Sequence, residues 1–166
     1  MKSITLSIIL VVLLGSCQSE KEKLINAEFG MIQAHWVINS FSFSPNTPET
    51  MKDVLKTGEI QLRSCKYDDK RFNTDAVVCG GDAVINDLFW GVSYRYLYDK
   101  RLFVFQLAVD NRDGSYREGG PHPKITKLIN GEWNFAVSGN TLTATQITSY
   151  KTPQQYLVSF TATRKQ

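Results

Sequence analysis

The sequence predicts an all-β domain, an antiparallel up-and-down barrel of about eight strands. Apolar and aromatic residues recur at every second position in successive segments, the period of strands with one buried face. Short sequences rich in Gly, Asn, Asp and Pro separate these segments. No segment between them has the apolar period of a crossover helix, so neighbouring strands should be antiparallel. A sandwich of two sheets is the alternative that periodicity leaves open.

The first seventeen residues have the layout of a secretory signal peptide. Lys2 precedes an apolar run over residues 4–14, and Gly-Ser stands before Cys17. The run is shorter than the roughly 20 residues that a membrane-spanning helix needs. The ending Leu-Gly-Ser-Cys resembles the lipobox of bacterial lipoproteins, which implies removal of residues 1–16 and a diacylglyceryl group on Cys17. A plain signal peptide in which Cys17 is incidental is the alternative.

Residues 17–30 are predicted to be a lipid-anchored tether. The part over residues 18–23 is polar and charged with nothing to bury, which favours a flexible segment. Residues 24–30 have the composition of a short helical turn. Gln18 stands where an Asp would retain a lipoprotein at the inner membrane in enterobacterial sorting. By that analogy we predict the outer membrane, at its periplasmic face or at the cell surface.

Charge and composition limit the classes of partner. The chain has 19 Lys and Arg against 16 Asp and Glu, and the predicted signal peptide removes one Lys and no acid. The remaining charges are scattered without a basic block, so we expect no nucleic-acid binding. The 9 Phe, 7 Tyr and 3 Trp residues supply a large core and favour strands over helices.

The barrel domain is predicted to cover residues 31–166. Its strands are expected near residues 35–43, 59–67, 76–79, 92–98, 103–109, 133–137, 141–145 and 156–162. A helical turn is expected over residues 50–56, and Gly80-Gly81 should end the third strand. Asp99-Lys100 should form a tight turn, and residues 110–123 the one long loop.

One hairpin can be predicted with its register. Gly139-Asn140 is a two-residue turn with Gly at the first central position, which suits type II′. This turn pairs Val137 with Leu142 and Phe135 with Ala144, so that apolar residues face each other.

Eight aromatic side chains should point into the barrel. They are Tyr94, Tyr96, Phe103, Phe105, Trp133, Phe135, Tyr156 and Phe160. An eight-stranded barrel is just wide enough for side chains to fill it, so a packed core is one interpretation. The other is a pocket for one small apolar ligand. In either case buried Tyr hydroxyls need hydrogen-bond partners.

Two cysteines remain once Cys17 is assigned to lipid. An even number in an exported chain is typical of a disulfide, so we predict that Cys65 and Cys79 are bonded. A metal or redox pair is the alternative, but both usually use Cys-x-x-Cys, which is absent here.

These features together resemble the small bacterial lipocalin-like lipoproteins. The pattern consists of Trp36 on the first strand, the cysteine pair on the second and third strands, and the late hairpin over residues 131–142, Gly-Glu-Trp-Asn-Phe-Ala-Val-Ser-Gly-Asn-Thr-Leu. It would cover residues 31–164. Ala34 stands where the lipocalin Gly-x-Trp has its Gly. The resemblance implies a barrel with an apolar pocket.

Catalytic and metal-binding patterns are not evident. The sequence contains no Gly-x-Ser-x-Gly, Ser-x-x-Lys or His-Glu-x-x-His. His35 is expected to be a structural residue of the first strand, and His122 an exposed residue of the long loop. Residues 110–114 lack the alternating oxygen ligands of a calcium loop. We therefore expect no enzyme, cofactor or metal.

Two functions follow from these expectations. The first is an outer-membrane lipoprotein whose barrel binds a small apolar ligand. The second is a non-enzymatic interaction or inhibitor module with a filled barrel, which presents residues 110–123 to a periplasmic or surface protein.

Overall fold

The structure is a computed structural model that describes residues 19–68, 77–108, 121–150 and 156–166. Eight antiparallel strands form a closed barrel in which sequence neighbours are also spatial neighbours, and β1 pairs with β8. The strands are β1 (His35–Phe43), β2 (Gly58–Leu62), β3 (Cys79–Ile85), β4 (Leu88–Leu97), β5 (Leu102–Ala108), β6 (Gly131–Ser138), β7 (Thr141–Ser149) and β8 (Val158–Arg164). The helices are α1 (Glu20–Ile32), α2 (Glu49–Lys52) and α3 (Pro121–Ile129). The predicted fold class is confirmed, and the two-sheet alternative is excluded.

The β6–β7 hairpin confirms the predicted register. Val137 pairs with Leu142, and Phe135 pairs with Ala144. Gly139 has φ +58°, the value that the first central position of a type II′ turn requires. The β4–β5 turn is longer than predicted, because Leu97 pairs with Leu102 and four residues separate them.

The third strand begins at Cys79, where the sequence predicts its end, and includes both glycines, while Val77 and Val78 precede it outside any strand. Gly81 lies inside β3, where it pairs with Leu62 of β2 and Val92 of β4. A Cβ on Gly81 would lie 2.2 Å from the backbone oxygen of Gln61, so the two strands approach too closely for any side chain. The glycine therefore permits close strand packing instead of ending the strand.

A helix replaces most of the predicted tether. The Oγ atom of Ser19 accepts a hydrogen bond from the backbone N–H of Glu22 and caps α1. The helix then buries Ile25, Phe29 and Ile32, which recur at the spacing of one helical face. This corrects the boundary between tether and barrel, because the folded domain begins by residue 20 rather than residue 31.

A second helix lies at the end of the predicted long loop. Residues 109–120 are outside the described residues, but residues 121–123 begin α3 rather than continuing a loop. Ile125, Leu128 and Ile129 are buried at helical spacing. The sequence reading missed this helix, although a Pro in its first turn and that spacing are ordinary helix signals.

The two long helices lie at opposite ends of the barrel. α1 precedes β1, and β1, β3, β5 and β7 all begin at this α1 end. α3 precedes β6, and the even-numbered strands begin at the α3 end. The Trp36 Nε1 atom donates to the Ile32 carbonyl oxygen at 2.7 Å, and Trp133 Nε1 to that of Ile129 at 2.8 Å. Each helix is thus joined to the interior by an indole four residues beyond its last residue.

Candidate functional site

The interior of the barrel contains seven of the eight aromatic side chains that the sequence predicts there. The buried residues are Tyr94, Tyr96, Phe103, Phe105, Trp133, Phe135 and Phe160. Tyr156 is half-buried and precedes β8. The sequence therefore placed most of these side chains correctly and began the last strand two residues too early.

The buried rings pack on one another. Ring centroids of Phe103 and Phe135 are 5.3 Å apart, those of Trp133 and Phe160 5.6 Å, and those of Phe105 and Phe135 6.0 Å. These distances fall within the usual range for favourable aromatic pairs. The rings thus contact one another in the interior, where the alternative interpretation placed a ligand.

α1 adds a further ring at its end of the barrel. The Phe29 ring lies 5.9 Å from that of Tyr94 in an edge-on arrangement and 6.2 Å from that of Phe103. Phe29 is 1% exposed. The helix thereby packs an apolar side chain against interior rings at the α1 end of the barrel.

Two interior tyrosines have perturbed hydroxyls. The Tyr94 hydroxyl donates to the backbone oxygen of Arg63 at 2.7 Å, and burial raises the pKa of Tyr94 to about 12. Burial also raises the pKa of Tyr96, with a further contribution from the nearby Glu28 carboxylate. Burial raises the pKa of Glu28 itself, and the positive charge of Arg101 opposes that change. Tyr94 thus obtains from the backbone the partner that the ligand interpretation assigned to a bound molecule.

The predicted disulfide is present. The Sγ atoms of Cys65 and Cys79 are bonded, and their Cα atoms are 5.7 Å apart. Cys79 begins β3, and Cys65 lies beyond the end of β2 rather than on it. Gln33 Nε2 also donates to the Cys65 carbonyl oxygen at 2.8 Å, which joins this segment to the residue after α1. Cys17, the predicted lipidation site, lies outside the described residues.

His35 belongs to a cluster of charges on the outer wall. Its Nε2 atom is 2.7 Å from Glu59 Oε2, and Lys165 Nζ donates to both oxygens of the same carboxylate at 2.9 and 3.1 Å. The hydrogen bond from Lys165, followed by that from His35, lowers the pKa of Glu59. This cluster joins β1, β2 and the C-terminal residues, as expected for a structural His. The side chain of His122 is not among those described.

Beside this cluster is a groove on the outside of β1–β4, which we call the charged groove. It encloses about 290 Å³ and is lined by His35, Glu59, Gln61, Arg63, Asp82, Ala83, Val84 and Phe89. The Arg63 guanidinium pairs with the Asp82 carboxylate across it. A second cavity of about 350 Å³ shares Glu59 and Val84 and extends to the β3–β4 turn.

The charged groove has exposed apolar side chains as well as ion pairs. Phe89 is 56% exposed and Val84 is 39% exposed. Large apolar side chains with this exposure beside paired charges resemble the composition of protein-binding surfaces. Sequence reasoning missed the groove because these residues occupy outward positions of four strands, and only the strand register shows which of them are neighbours.

The opposite wall is chemically different. Its outward positions on β6, β7 and β8 pair in register across the three strands. Nine of them, which we call the neutral wall, carry no ionisable side chain: Asn134, Ala136, Ser138, Thr141, Thr143, Thr145, Ser159, Thr161 and Thr163. Glu132, which pairs with Lys100, and Ile147, which is 43% exposed, are outward positions of the same strands beyond this neutral wall. Thr143, within the neutral wall, therefore serves as the control position for the charged groove.

The described ranges contain neither a cluster of metal-ligating side chains nor a membrane-spanning helix. No group of three or more His, Cys, Asp and Glu side chains is placed there to hold a metal ion. Within the same residues, no helix is long and apolar enough to pass through a bilayer.

Comparison with family models, curated proteins and solved structures yields no match for this chain.

Proposed function

We propose that the chain is an exported lipoprotein, anchored in the outer membrane through Cys17, whose filled barrel is a non-enzymatic protein-interaction module. The observation that carries this proposal is the aromatic packing of the interior, where Trp133, Phe135 and Phe160 contact one another. With the interior occupied, binding takes place on the outside. The proposal therefore favours the interaction module over a carrier of apolar ligands.

The charged groove is the surface proposed to receive the partner, a periplasmic or surface protein. Phe89 and Val84 provide apolar area, and Arg63 with Asp82 provides a charged rim. The suitable partner segment has an apolar side chain to cover Phe89 and polar groups to meet the ion pair. The sequence also predicts a partner surface on the loop over residues 110–123, of which residues 110–120 lie outside the described residues.

The anchor is tested by mass spectrometry and membrane fractionation of the full chain and of Cys17→Ser. We expect the unsubstituted protein to begin at Cys17 after cleavage, to carry acyl chains on that residue and to fractionate with membranes. We expect no cleaved, acylated form of the Cys17→Ser protein in the membrane fraction. An unmodified Cys17 in a cleaved, freely diffusing protein would refute the anchor.

The surface is tested by photocrosslinking in cells, with a photoreactive amino acid at Phe89 or, as the control, at Thr143 on the neutral wall. We expect a defined adduct from position 89 that weakens when Arg63→Glu is added, and none at comparable yield from position 143. Equal crosslinking from the two walls would reject the charged groove as the binding surface.

The interior is tested by titrating fatty acids, haem and solvatochromic dyes while recording Trp fluorescence. Trp133 is fully buried among interior rings, so entry of a ligand would change its emission. We expect no saturable change. A stoichiometric response that is lost on enlarging Ala144, which faces the same interior, would favour the ligand-binding function instead.

A further inference from the structure

We infer that the Cys65–Cys79 disulfide regulates the charged groove, because it holds the backbone from which Arg63 reaches that groove. Opening of the disulfide by a dithiol reductant releases Arg63 from Asp82 and weakens binding of the partner. This inference rests on the proposed function of the charged groove and adds a redox control to it.

Arg63 reaches the charged groove from backbone that belongs to no strand. β2 ends at Leu62, which pairs with Gly81, and Arg63 is the next residue. Its guanidinium pairs with the Asp82 carboxylate, although the Arg63 side chain is 62% exposed. Exposed ion pairs contribute little to stability, so this pair does not by itself keep the Arg63 backbone in place. The position of the guanidinium therefore depends on what holds residues 63–67.

One end of this segment is held by single hydrogen bonds from β3 and β4. The Arg63 N–H donates to the Gly80 carbonyl oxygen at 3.1 Å, and the Arg63 carbonyl oxygen accepts from the Tyr94 hydroxyl at 2.7 Å. Each such bond adds only a modest net stability, because water competes for the same groups when the segment opens.

The other end of the segment is held by α1 and by the disulfide. Gln33 Nε2 donates to the Cys65 carbonyl oxygen at 2.8 Å. The Asn26 side-chain amide accepts from the Tyr67 N–H at 2.7 Å and donates to the Tyr67 carbonyl oxygen at 2.9 Å. The bond from Cys65 to Cys79 adds a covalent link to the first residue of β3. Of these contacts, the disulfide is the one that a chemical reaction breaks.

The disulfide is more accessible from its Cys65 side. Cys65 is half-buried between the exposed residues Ser64 and Lys66, whereas Cys79 is 2% exposed. A thiolate of the dithiol attacks the Cys65 Sγ atom, forms a mixed disulfide and expels Cys79 as a thiolate, which takes up the proton that the attacking thiol lost. The second thiol of the reductant then attacks the mixed disulfide and releases Cys65 as a thiol. The dithiol becomes a cyclic disulfide, and the protein gains two thiols.

Reduction removes a constraint on residues that are 14 apart in the sequence. The loop-closure entropy of such a ring corresponds to an opening equilibrium up to about a hundredfold more favourable once the bond is broken. The Arg63 and Tyr67 N–H groups report this opening, because each donates a hydrogen bond in the closed segment.

The first measurement is amide hydrogen exchange by NMR on the full processed chain in detergent, before and after treatment with dithiothreitol. Alkylation and mass spectrometry establish that the treated chain has gained two thiols. We expect the Arg63 and Tyr67 amides to exchange up to about a hundredfold faster after reduction, and the amides of residues 133–137 in β6 to be unchanged. Unchanged exchange at Arg63 in the fully reduced chain overturns the inference. Faster exchange over residues 133–137 also overturns it, because reduction then unfolds the barrel instead of releasing one segment.

The second measurement follows the Arg63 side chain through its Nε–H signal in the same samples. We expect reduction to move this signal to the position that it has in the oxidised Asp82→Ala variant. The Arg164 signal is the control and should stay in place, since its guanidinium lies 5.0 Å from the centre of the Trp36 ring on another part of the barrel. An Arg63 signal that does not move overturns the inference.

The third measurement is the photocrosslink from position 89 in cells. Replacing both Cys65 and Cys79 by Ser should lower the adduct yield as much as Arg63→Glu does, and adding Arg63→Glu to that variant should lower it no further. An undiminished adduct from the double-Ser variant overturns the regulation. Absence of any adduct from the oxidised protein is failure of the proposed function. The exchange and Arg63 measurements need no partner, so they distinguish that failure from failure of the present inference.

Discussion

Replacing Phe29 by Ala tests whether α1 belongs to the barrel or merely precedes it. The side chain is 1% exposed and contacts the rings of Tyr94 and Phe103. Truncating a buried Phe costs about 3–5 kcal/mol through lost burial and the cavity that remains. Domains of this size unfold with about 5–15 kcal/mol, so the change removes a large share of the total.

The assay is urea unfolding of residues 17–166 carrying Cys17→Ser, with the disulfide oxidised and Trp fluorescence as the signal. Lys23→Ala on the same helix is the control, because its side chain is 55% exposed and its loss should change the unfolding free energy by less than about 0.5 kcal/mol. Phe29→Leu retains most of the volume and keeps the comparison usable if the Ala variant does not fold. A cost for Phe29→Ala no greater than that of Lys23→Ala would refute the placement of α1 in the core.

Three further outcomes follow from the interior and the strands. Burial raises the pKa of Tyr94 to about 12, so its hydroxyl stabilises the fold below about pH 10, and that contribution is lost as the pH rises through 12. Tyr94→Phe should therefore reduce the loss of stability that thermal melts show between about pH 10 and 12. An unchanged dependence of melting temperature on pH would contradict this. Gly81→Ala should lower the unfolding free energy by about 1–3 kcal/mol or more, since its Cβ would meet a β2 carbonyl oxygen. Gly80→Ala is the control and should be nearly neutral, because the nearest atom to its Cβ would be 3.9 Å away. Similar urea midpoints for the two variants would contradict the close approach of the strands. Replacing both Cys65 and Cys79 by Ser should cost about 3 kcal/mol in urea unfolding under oxidising conditions, and a shift confined to reducing conditions would argue against a native bond.

The fold and most of the interior could be predicted because strand periodicity is local. Alternating apolar residues in β4 and β5 specify an inward face, and the turn at Gly139 specifies the register of its hairpin, so Phe135 and Ala144 could be paired without coordinates. The cysteine pair could be predicted because the number of cysteines is small once Cys17 is set aside.

The helices were harder to predict because their apolar residues are sparse. In α1 the buried Ile25, Phe29 and Ile32 lie among charged and polar residues, and the segment is read as a tether unless the partner surface is known. α3 follows residues whose composition is that of a loop. Its apolar face is buried only by contact with β5 and β7, and these contacts cannot be read from the local sequence.

The sequence by itself determined the antiparallel all-β class, most of the inward residues, the disulfide and the expectation of a lipid anchor, since each depends on neighbouring residues or on residue counts. Only the tertiary structure decided that a helix packs at each end of the barrel, that aromatic rings pack on one another in its interior, and that Arg63, Asp82 and Phe89 meet on one outer wall. These features depend on contacts between residues distant in the chain. Closure of the barrel and the strand register create those contacts, and no local pattern encodes either.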